Sequence, residues 1–226
     1  MSESRVQGLS SVRGSEEERP RRRRLPSHER EQMILDEATR FFADNGFSAQ
    51  TRDLAERLGI SQGLIFRYFK TKEQLVERVY ERTFLQRWRP DWEDVIADRT
   101  LPLEDRLRRF YLSYLRTIDD YVWVRIAMFS GLAGNDLTAR YVRTHVEKLL
   151  RQIAIEVRIE RGDAADRDID RMELEQVWQL HSAIIYYLVR KYIFRTAVDL
   201  DHERLVGRLV HAFLHGSLDQ ADVRPV

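Results

Sequence analysis

Apolar residues recur at helical spacing along most of this chain. In the first clear stretch, Ile34, Ala38, Phe41 and Phe42 occupy the i, i+4, i+7 and i+8 positions of one helical face. Asn45-Gly46 marks the predicted end of that helix. No segment shows a convincing period-two alternation, and clusters of Gly and Pro are sparse. The pattern therefore predicts an all-α protein without internal repeats.

The next stretch predicts two short helices joined by a tight turn. The first is expected to end at Leu58, because Gly59 can adopt the left-handed backbone conformation at little cost. Ser61 is the predicted N-cap of the second, which covers residues 62–68. Two short helices in this arrangement are typical of a helix-turn-helix, whose second helix enters the major groove of DNA.

A longer helix is predicted to follow this pair. Thr71-Lys72-Glu73-Gln74 has the form of a capping box, in which Thr71 and Gln74 each satisfy one free backbone N–H. The helix is expected to reach Arg89, before Pro90. Further helices are predicted near residues 103–119, 122–133, 137–161, 172–194 and 202–215.

Composition is that of an ordinary globular protein. Hydrophobic residues make up 43% of the 226 residues and charged residues 33%, so the chain is expected to fold. The absence of cysteine excludes disulfides, thiolate zinc sites and thiol nucleophiles. No apolar signal region appears near the N-terminus, and the longest uncharged apolar stretch, 176–189, is too short to cross a bilayer. We therefore expect a cytoplasmic protein with no membrane partner.

Positive charge is concentrated towards the N-terminus. The net charge of the whole chain is only +1, which by itself does not indicate a nucleic-acid partner. Residues 19–72, however, contain 12 Lys and Arg against 7 Asp and Glu. This local excess coincides with the predicted helix-turn-helix.

The residues around the predicted turn resemble those of the TetR family of transcriptional regulators. The matching residues are Gly46-Phe47, Arg52-Asp53-Leu54-Ala55, Leu58-Gly59-Ile60-Ser61, Gly63-Leu64-Ile65-Phe66-Arg67-Tyr68-Phe69 and Lys72-Glu73. The resemblance covers residues 28–80. It implies an all-α homodimer in which a three-helix head is joined by a long helix to a helical body. It also implies a repressor that binds a palindromic, double-stranded operator and is released by a small-molecule effector.

The chain is accordingly expected to divide into three parts. Residues 1–26 are predicted to form a disordered basic tail, because they combine Ser, Gly, Glu and Arg with few apolar positions. Residues 27–80 would form the DNA-binding domain. Residues 81–226 would form the effector-binding and dimerisation domain.

The recognition helix supplies the candidate base contacts. Gln62 can pair with an adenine edge, Arg67 with guanine or phosphate, and Phe66 can pack on a thymine methyl group. Gly63 allows a close backbone approach, and the polar side chains at the end of the helix are candidate phosphate contacts. The alternative is that the aromatic residues are core and the lysines solvated. The predicted DNA-binding residues are Ser48, Thr51, Arg52, Ser61, Gln62, Gly63, Phe66, Arg67, Tyr68, Lys70 and Lys72.

Two further DNA contacts are left open by the sequence. The loop before the second helix is one residue shorter than the common family form, so either Ser48 or Thr51 caps that helix and touches phosphate. Phe66 also stands where a tyrosine is more usual. The basic run Arg21 to Arg24 either enters a neighbouring minor groove or is a solvated, disordered segment.

Aromatic and polar side chains in the body are the candidate effector contacts, although most of the aromatics are expected to be core. A polar group buried in an apolar helix needs a partner, so Arg125 is expected to hold an anionic effector or a structural carboxylate. The predicted ligand-binding residues are Tyr114, Trp123, Arg125, Phe129, His145, Trp178 and His181.

The last two predicted helices carry broad apolar stripes. The stripes contain Leu174, Val177, His181, Ile184, Ile185, Leu188 and Tyr192, then Val206, Leu209, Val210 and Phe213. In the TetR family these helices form a four-helix bundle with those of a second subunit, and the resemblance implies the same here. Part of both stripes would also serve the core of one subunit.

No enzyme and no cofactor are expected. The sequence contains no phosphate-binding glycine loop, nucleophile elbow or His-Glu-x-x-His motif. His211 and His215 share a helical face, but two ligands make a weak metal site. A histidine near the C-terminus of a helix is also explained by its favourable interaction with the helix dipole, so no metal is expected. The alternative function is a DNA-binding protein without a small-molecule sensor, either architectural or regulated by a partner.

Overall fold

The computed structural model describes residues 26–134, 136–163, 168–196 and 200–216. Helices form the regular structure of these ranges, and no strand occurs within them. The helices are α1 Ser27–Asn45, α2 Thr51–Leu58, α3 Gln62–Tyr68, α4 Lys72–Thr83, α5 Asp91–Ala97, α6 Leu103–Ile118, α7 Tyr121–Leu132, α8 Leu137–Tyr141, α9 Glu147–Glu160, α10 Arg171–Tyr192 and α11 His202–His215. Most of the expected N-terminal tail, with Arg21 to Arg24, lies outside the described residues.

Helices α1 to α3 form the N-terminal head, whose buried residues, here called the head core, belong to the same apolar cluster as those of the other described helices. The predicted face of α1 is buried, and Phe42 contacts Phe47 with ring centroids 5.3 Å apart. Leu54 of α2 and Ile65 of α3 are also buried in this core. The spacing of apolar residues in α1 therefore predicted its buried side correctly.

The helix that follows the head is shorter than the sequence indicates. Its predicted cap is confirmed, because the Thr71 hydroxyl accepts the Gln74 backbone N–H at 3.1 Å. The Gln74 side chain, however, accepts the N–H of Lys70 rather than that of Thr71. Helix α4 then ends at Thr83, and a 3₁₀ turn at Leu85–Arg87 precedes α5.

The remaining helices form the body. Helix α6 lies between α5 and α11, and α10 crosses α7, α9 and α11. A π-helical turn at Val142–Val146 joins α8 to α9 without a break. No helix of the described residues is long and apolar enough to span a membrane.

A buried ion pair links two parts of the body. Arg106 of α6 donates hydrogen bonds to Glu156 of α9 and to the carbonyl oxygen of Ile96. Arg99 adds two more hydrogen bonds to the Glu156 carboxylate. Since a buried carboxylate requires such partners, this cluster fixes α9 against α5 and α6.

Candidate functional site

The turn between α2 and α3 has the predicted geometry. Gly59 ends α2 in the left-handed conformation, with φ 63° and ψ 35°. Ser61 caps α3, because its side chain accepts the Leu64 backbone N–H at 3.2 Å. Ile65 and Phe69 anchor α3 in the head core, each with 1% of its surface exposed. These contacts hold one side of α3 and leave the other side free.

The outward side of α3 consists of the predicted base-contacting residues. Gln62, Gly63, Phe66 and Arg67 are all exposed. A Cβ atom placed on Gly63 would meet no neighbouring atom within 4 Å, so the backbone there is open to a close approach. Because Phe66 is exposed, it does not contribute to the core of the head. A large apolar side chain on the surface favours a role in binding.

Thr51 and Gln62 are joined by their side chains. The Gln62 amide nitrogen donates to the Thr51 hydroxyl at 2.7 Å, and Thr51 is buried. This contact orients the first residue of α3 against α2. Ser48 is exposed, and neither Ser48 nor Thr51 caps α2, because the N-cap position is Gln50, which forms no side-chain cap bond.

Polar residues border the exposed side of α3. Arg52 is exposed on α2, beside Glu56 at 3.9 Å. Lys70 is exposed after α3, Tyr68 is half-buried, and Lys72 is half-buried at the start of α4. The predicted phosphate contacts therefore come from α2, from the end of α3 and from the start of α4.

A second candidate site is a cavity of about 340 Å³ in the body. Four of the predicted ligand-binding residues line it, namely Tyr114, Trp123, Trp178 and His181. Its volume falls within the range of about 300–1,000 Å³ usual for small-molecule sites. The other lining residues are Phe84, Ala127, Met128, Thr138, Tyr141, Val142, Val146, Ser182, Ile185, Tyr186 and Val189.

The cavity wall is apolar and uncharged. No Asp, Glu, Lys or Arg is among the described residues that line it. Burial lowers the pKa of His181 to about 4, so its imidazole is neutral at pH 7. Burial likewise raises the pKa of the Tyr114 and Tyr141 phenols, which therefore stay protonated.

Two buried polar atoms at this cavity lack a partner. Neither the Trp123 Nε1–H nor the His181 Nδ1 atom finds a hydrogen-bond partner among the residues that the structure describes. An indole N–H can only donate, whereas a neutral imidazole nitrogen either donates or accepts. Since unpaired buried polar groups cost free energy, these two atoms are available to a ligand.

The other three predicted ligand-binding residues lie outside this lining. His145 contacts Trp88, with ring centroids 4.9 Å apart, and burial lowers the pKa of its imidazole. Phe129 packs against Gly46, where a Cβ atom would stand only 3.0 Å from the phenyl ring. The Arg125 guanidinium reaches α1 instead, where it donates to the backbone carbonyl oxygens of Ala43 and Asp44.

Arg125 thereby joins the body to the head. The two carbonyl groups belong to the last turn of α1, where backbone acceptors lack partners within the helix. The guanidinium also lies over the Tyr121 and Phe129 rings, 5.4 and 4.9 Å from their centroids. Helix α7 thus faces α1 with these three residues, whereas its Trp123, Ala127 and Met128 line the cavity.

Sequence reasoning missed most of the cavity lining. Val142 and Val146 lie in the π-helical turn, a local irregularity that often marks functional sites but leaves no trace in hydrophobic spacing. Phe84 immediately follows α4, at the point where a continuous helix was expected. Tyr186 offered a usable signal, because it is one of the aromatic residues of the predicted body.

Comparison with known proteins agrees with this arrangement of head and body. Residues 34–79 match the family model described as bacterial regulatory proteins, tetR family. A curated relative, the HTH-type transcriptional repressor KstR2 of Mycolicibacterium smegmatis, is 37% identical over 90 residues. That match covers 39% of this chain and 43% of the relative, so less than half of the relative's length is matched.

Solved structures extend the likeness to the body. A TetR-like transcriptional regulator from Rhodococcus sp. RHA1 has a TM-score of 0.62 at 21% identity and covers 85% of this chain and 100% of its own. The ketosteroid transcriptional regulator KstR2 of Mycobacterium tuberculosis has a TM-score of 0.60 at 18% identity, covering 83% and 94% of the two chains. At these identities the structures show a shared fold. These relatives are named as transcriptional regulators, and the match to the tetR family model covers residues 34–79 of this chain.

Proposed function

We propose that this protein is a sequence-specific DNA-binding transcriptional repressor that a small-molecule effector releases from a palindromic operator. The observation that carries the proposal is the outward side of α3. Gln62, Phe66 and Arg67 are exposed together on a short helix whose opposite side is fixed in the head core. A rigid helix with base-reading side chains is what major-groove recognition needs.

Each residue on this surface has a distinct proposed role. Arg67 reads guanine or contacts phosphate, and Phe66 packs on a thymine methyl group. Gln62 keeps its amide oxygen for an adenine edge while its nitrogen is held by Thr51. Thr51 therefore acts as a positioning residue, and Arg52, Tyr68, Lys70 and Lys72 provide the phosphate contacts.

A homodimer through α10 and α11 completes the proposed operator reader. Gln179 and Ala183 of α10 border a groove with Leu209, Ala212 and Phe213 of α11. The apolar side chains of this groove, those of Ala183, Leu209, Ala212 and Phe213, are only partly covered within one chain. A second copy packed by two-fold symmetry would cover them and present two α3 helices to two half-sites.

The cavity indicates the chemical class of the proposed effector. An uncharged wall cannot compensate a buried ion, so the buried part of the effector is neutral and mostly apolar. The free Trp123 N–H requires an acceptor, such as a carbonyl or hydroxyl oxygen. Ketosteroids, the compounds in the name of the M. tuberculosis relative, combine these properties and are the first probes to use.

Two helices connect the cavity to the head in this proposal. Phe84 lines the cavity at the end of α4 and contacts Trp123 with ring centroids 5.5 Å apart. Helix α7 reaches the end of α1 through Arg125. An effector that displaces either helix would change the separation of the two heads, and the fit to both half-sites would be lost.

Selection of bound sites from random duplex DNA tests the DNA-binding proposal. We expect enriched sequences to be palindromic, with half-site centres about 34–36 Å apart, because a two-fold dimer fixes that spacing. Bound sequences without enrichment would contradict the sequence-specific function. Enriched single half-sites would contradict the dimer alone.

Thermal stabilisation by neutral ketosteroids tests the sensor. Trp123→Phe removes the indole N–H and keeps an aromatic ring, so we expect affinity for the stabilising compound to fall about fivefold. Trp88→Phe is the matched control, because Trp88 contacts His145 and is absent from the described lining of the cavity. If no neutral apolar compound stabilises the protein or releases operator DNA, the protein binds DNA without this kind of sensor.

A further inference from the structure

Three side chains with metal-ligating atoms meet where α11 runs along α6. Glu104 lies in the first turn of α6, and His211 and His215 lie one turn apart near the end of α11. The His215 Nε2 atom is 3.1 Å from one Glu104 carboxylate oxygen, and the His211 Nδ1 atom is 3.5 Å from the other. The three ligand atoms all lie within 4.8 Å of one another.

These separations are close to those of a bound transition metal ion. Zinc lies about 2.0–2.2 Å from imidazole nitrogen and carboxylate oxygen, so two tetrahedral ligands are roughly 3.3 Å apart. Both histidine–carboxylate distances are already near that value. Binding of one ion would require the exposed imidazoles to rotate until all three ligand atoms surround it.

We propose that Glu104, His211 and His215 form a binding site for a divalent transition metal ion of the zinc class, which ties α11 to α6. Two imidazoles and one carboxylate suit zinc and its neighbours rather than calcium or magnesium, which prefer oxygen ligands. Water would complete the coordination, since all three side chains are partly accessible. The proposal is independent of DNA binding and of the effector cavity.

The two helices that carry the site pack against each other. Val206 and Val210 of α11 are buried, as is Leu103 beside Glu104. The ligands therefore project from two helices that the core already fixes, which lowers the entropy lost on metal binding.

Zinc titration of the EDTA-treated full chain by calorimetry tests the proposal. We expect one ion per chain and a rise in melting temperature, because a ligand that binds the folded state stabilises it. His211→Ala and His215→Ala should each weaken binding by about tenfold or more, and Glu104→Gln should also weaken it. His28→Ala is the control and should bind as the wild type does, since His28 is exposed at the start of α1.

Cobalt distinguishes metal binding by these residues from a purely structural role, because only direct ligation changes the absorption spectrum of the ion. Co²⁺ bound at the site should give visible d–d absorption that disappears in His215→Ala. If that variant is misfolded by circular dichroism, His211→Asn and Glu104→Gln serve in its place. Equal zinc affinity in the wild type and in folded site variants would overturn the proposal, as would a wild type that binds no zinc.

Discussion

Replacing Arg125 by Met should loosen the head from the body. The substitution keeps an aliphatic side chain but removes two charge-assisted hydrogen bonds to the Ala43 and Asp44 carbonyl oxygens. One hydrogen bond to a charged group contributes about 1.5–3 kcal/mol to stability. The exposed Asp44 carbonyl oxygen can accept a hydrogen bond from water in the variant, so its loss costs less. We therefore expect a loss of about 2 kcal/mol in the free energy of unfolding, or roughly 4–8 °C in Tm.

Urea unfolding followed by circular dichroism measures this loss. Hydrogen exchange should locate it, because amides in the last turn of α1 should exchange faster while those around Ser61 should not. Arg116→Met is the matched control, since Arg116 forms an exposed ion pair with Glu203 that is worth about 0–1 kcal/mol. A change below about 0.5 kcal/mol in Arg125→Met, equal to that of the control, would refute the proposed connection.

Three further substitutions follow from local geometry. Gly46→Ala should lower the free energy of unfolding, measured in urea, by more than about 2 kcal/mol. The backbone at φ 76° and ψ 171° favours glycine, and the new Cβ would crowd the Phe129 ring. An unchanged free energy of unfolding would contradict this. Ser61→Ala should cost about 1 kcal/mol and weaken operator binding, and unchanged binding would show that the cap is dispensable. Burial lowers the pKa of His181 to about 4. Between pH 6.5 and 4 the unfolded chain therefore binds more protons than the folded chain, and the free energy of unfolding decreases as the pH is lowered. Between pH 7.5 and 5.5 His181 should account for about 1.3 kcal/mol of lost stability, which His181→Gln should abolish; an equal loss in the variant would contradict the burial of a neutral imidazole.

The head could be predicted from sequence because its structure is decided locally. The left-handed Gly59, the Ser61 cap and the Thr71 cap each depend on residues within four positions in the chain. The apolar spacing in α1 likewise fixed its buried side. Such short-range signals are readable without knowledge of the rest of the molecule.

The contacts between head and body could not be predicted in the same way. Arg125 lies 82 residues after the carbonyl group that it binds, and a sequence pattern shows only that a buried arginine needs some acceptor. The end of α4 at Thr83 was missed because Phe84 and Leu85 continue the helical apolar spacing. At the break Phe84 packs against Trp123 and Tyr141, contacts with distant residues that the local spacing does not show.

The cavity shows the same limit. Its residues come from α6, α7, α8, α10, the π-helical turn and Phe84 after α4, so only packing of distant segments creates it. His181 was identified as a polar group in an apolar helix and Trp123 as one of the aromatic residues of the body, and each has a buried atom without a partner among the described residues. Arg125 is also a polar group in an apolar helix, but it donates to backbone carbonyl oxygens. The sequence cannot show whether such a group binds a ligand or the backbone of another helix.

Equilibrium binding to a selected operator duplex, measured by fluorescence anisotropy, tests the role of α3 most directly. Arg67→Ala should lose about tenfold or more in affinity and should discriminate less between bases at the contacted position. Arg151→Ala removes an equally exposed arginine paired with Glu147 on α9 and should bind as the wild type does. Equal affinities of the wild type and both variants, or a wild type that binds no duplex at low salt, would contradict the account.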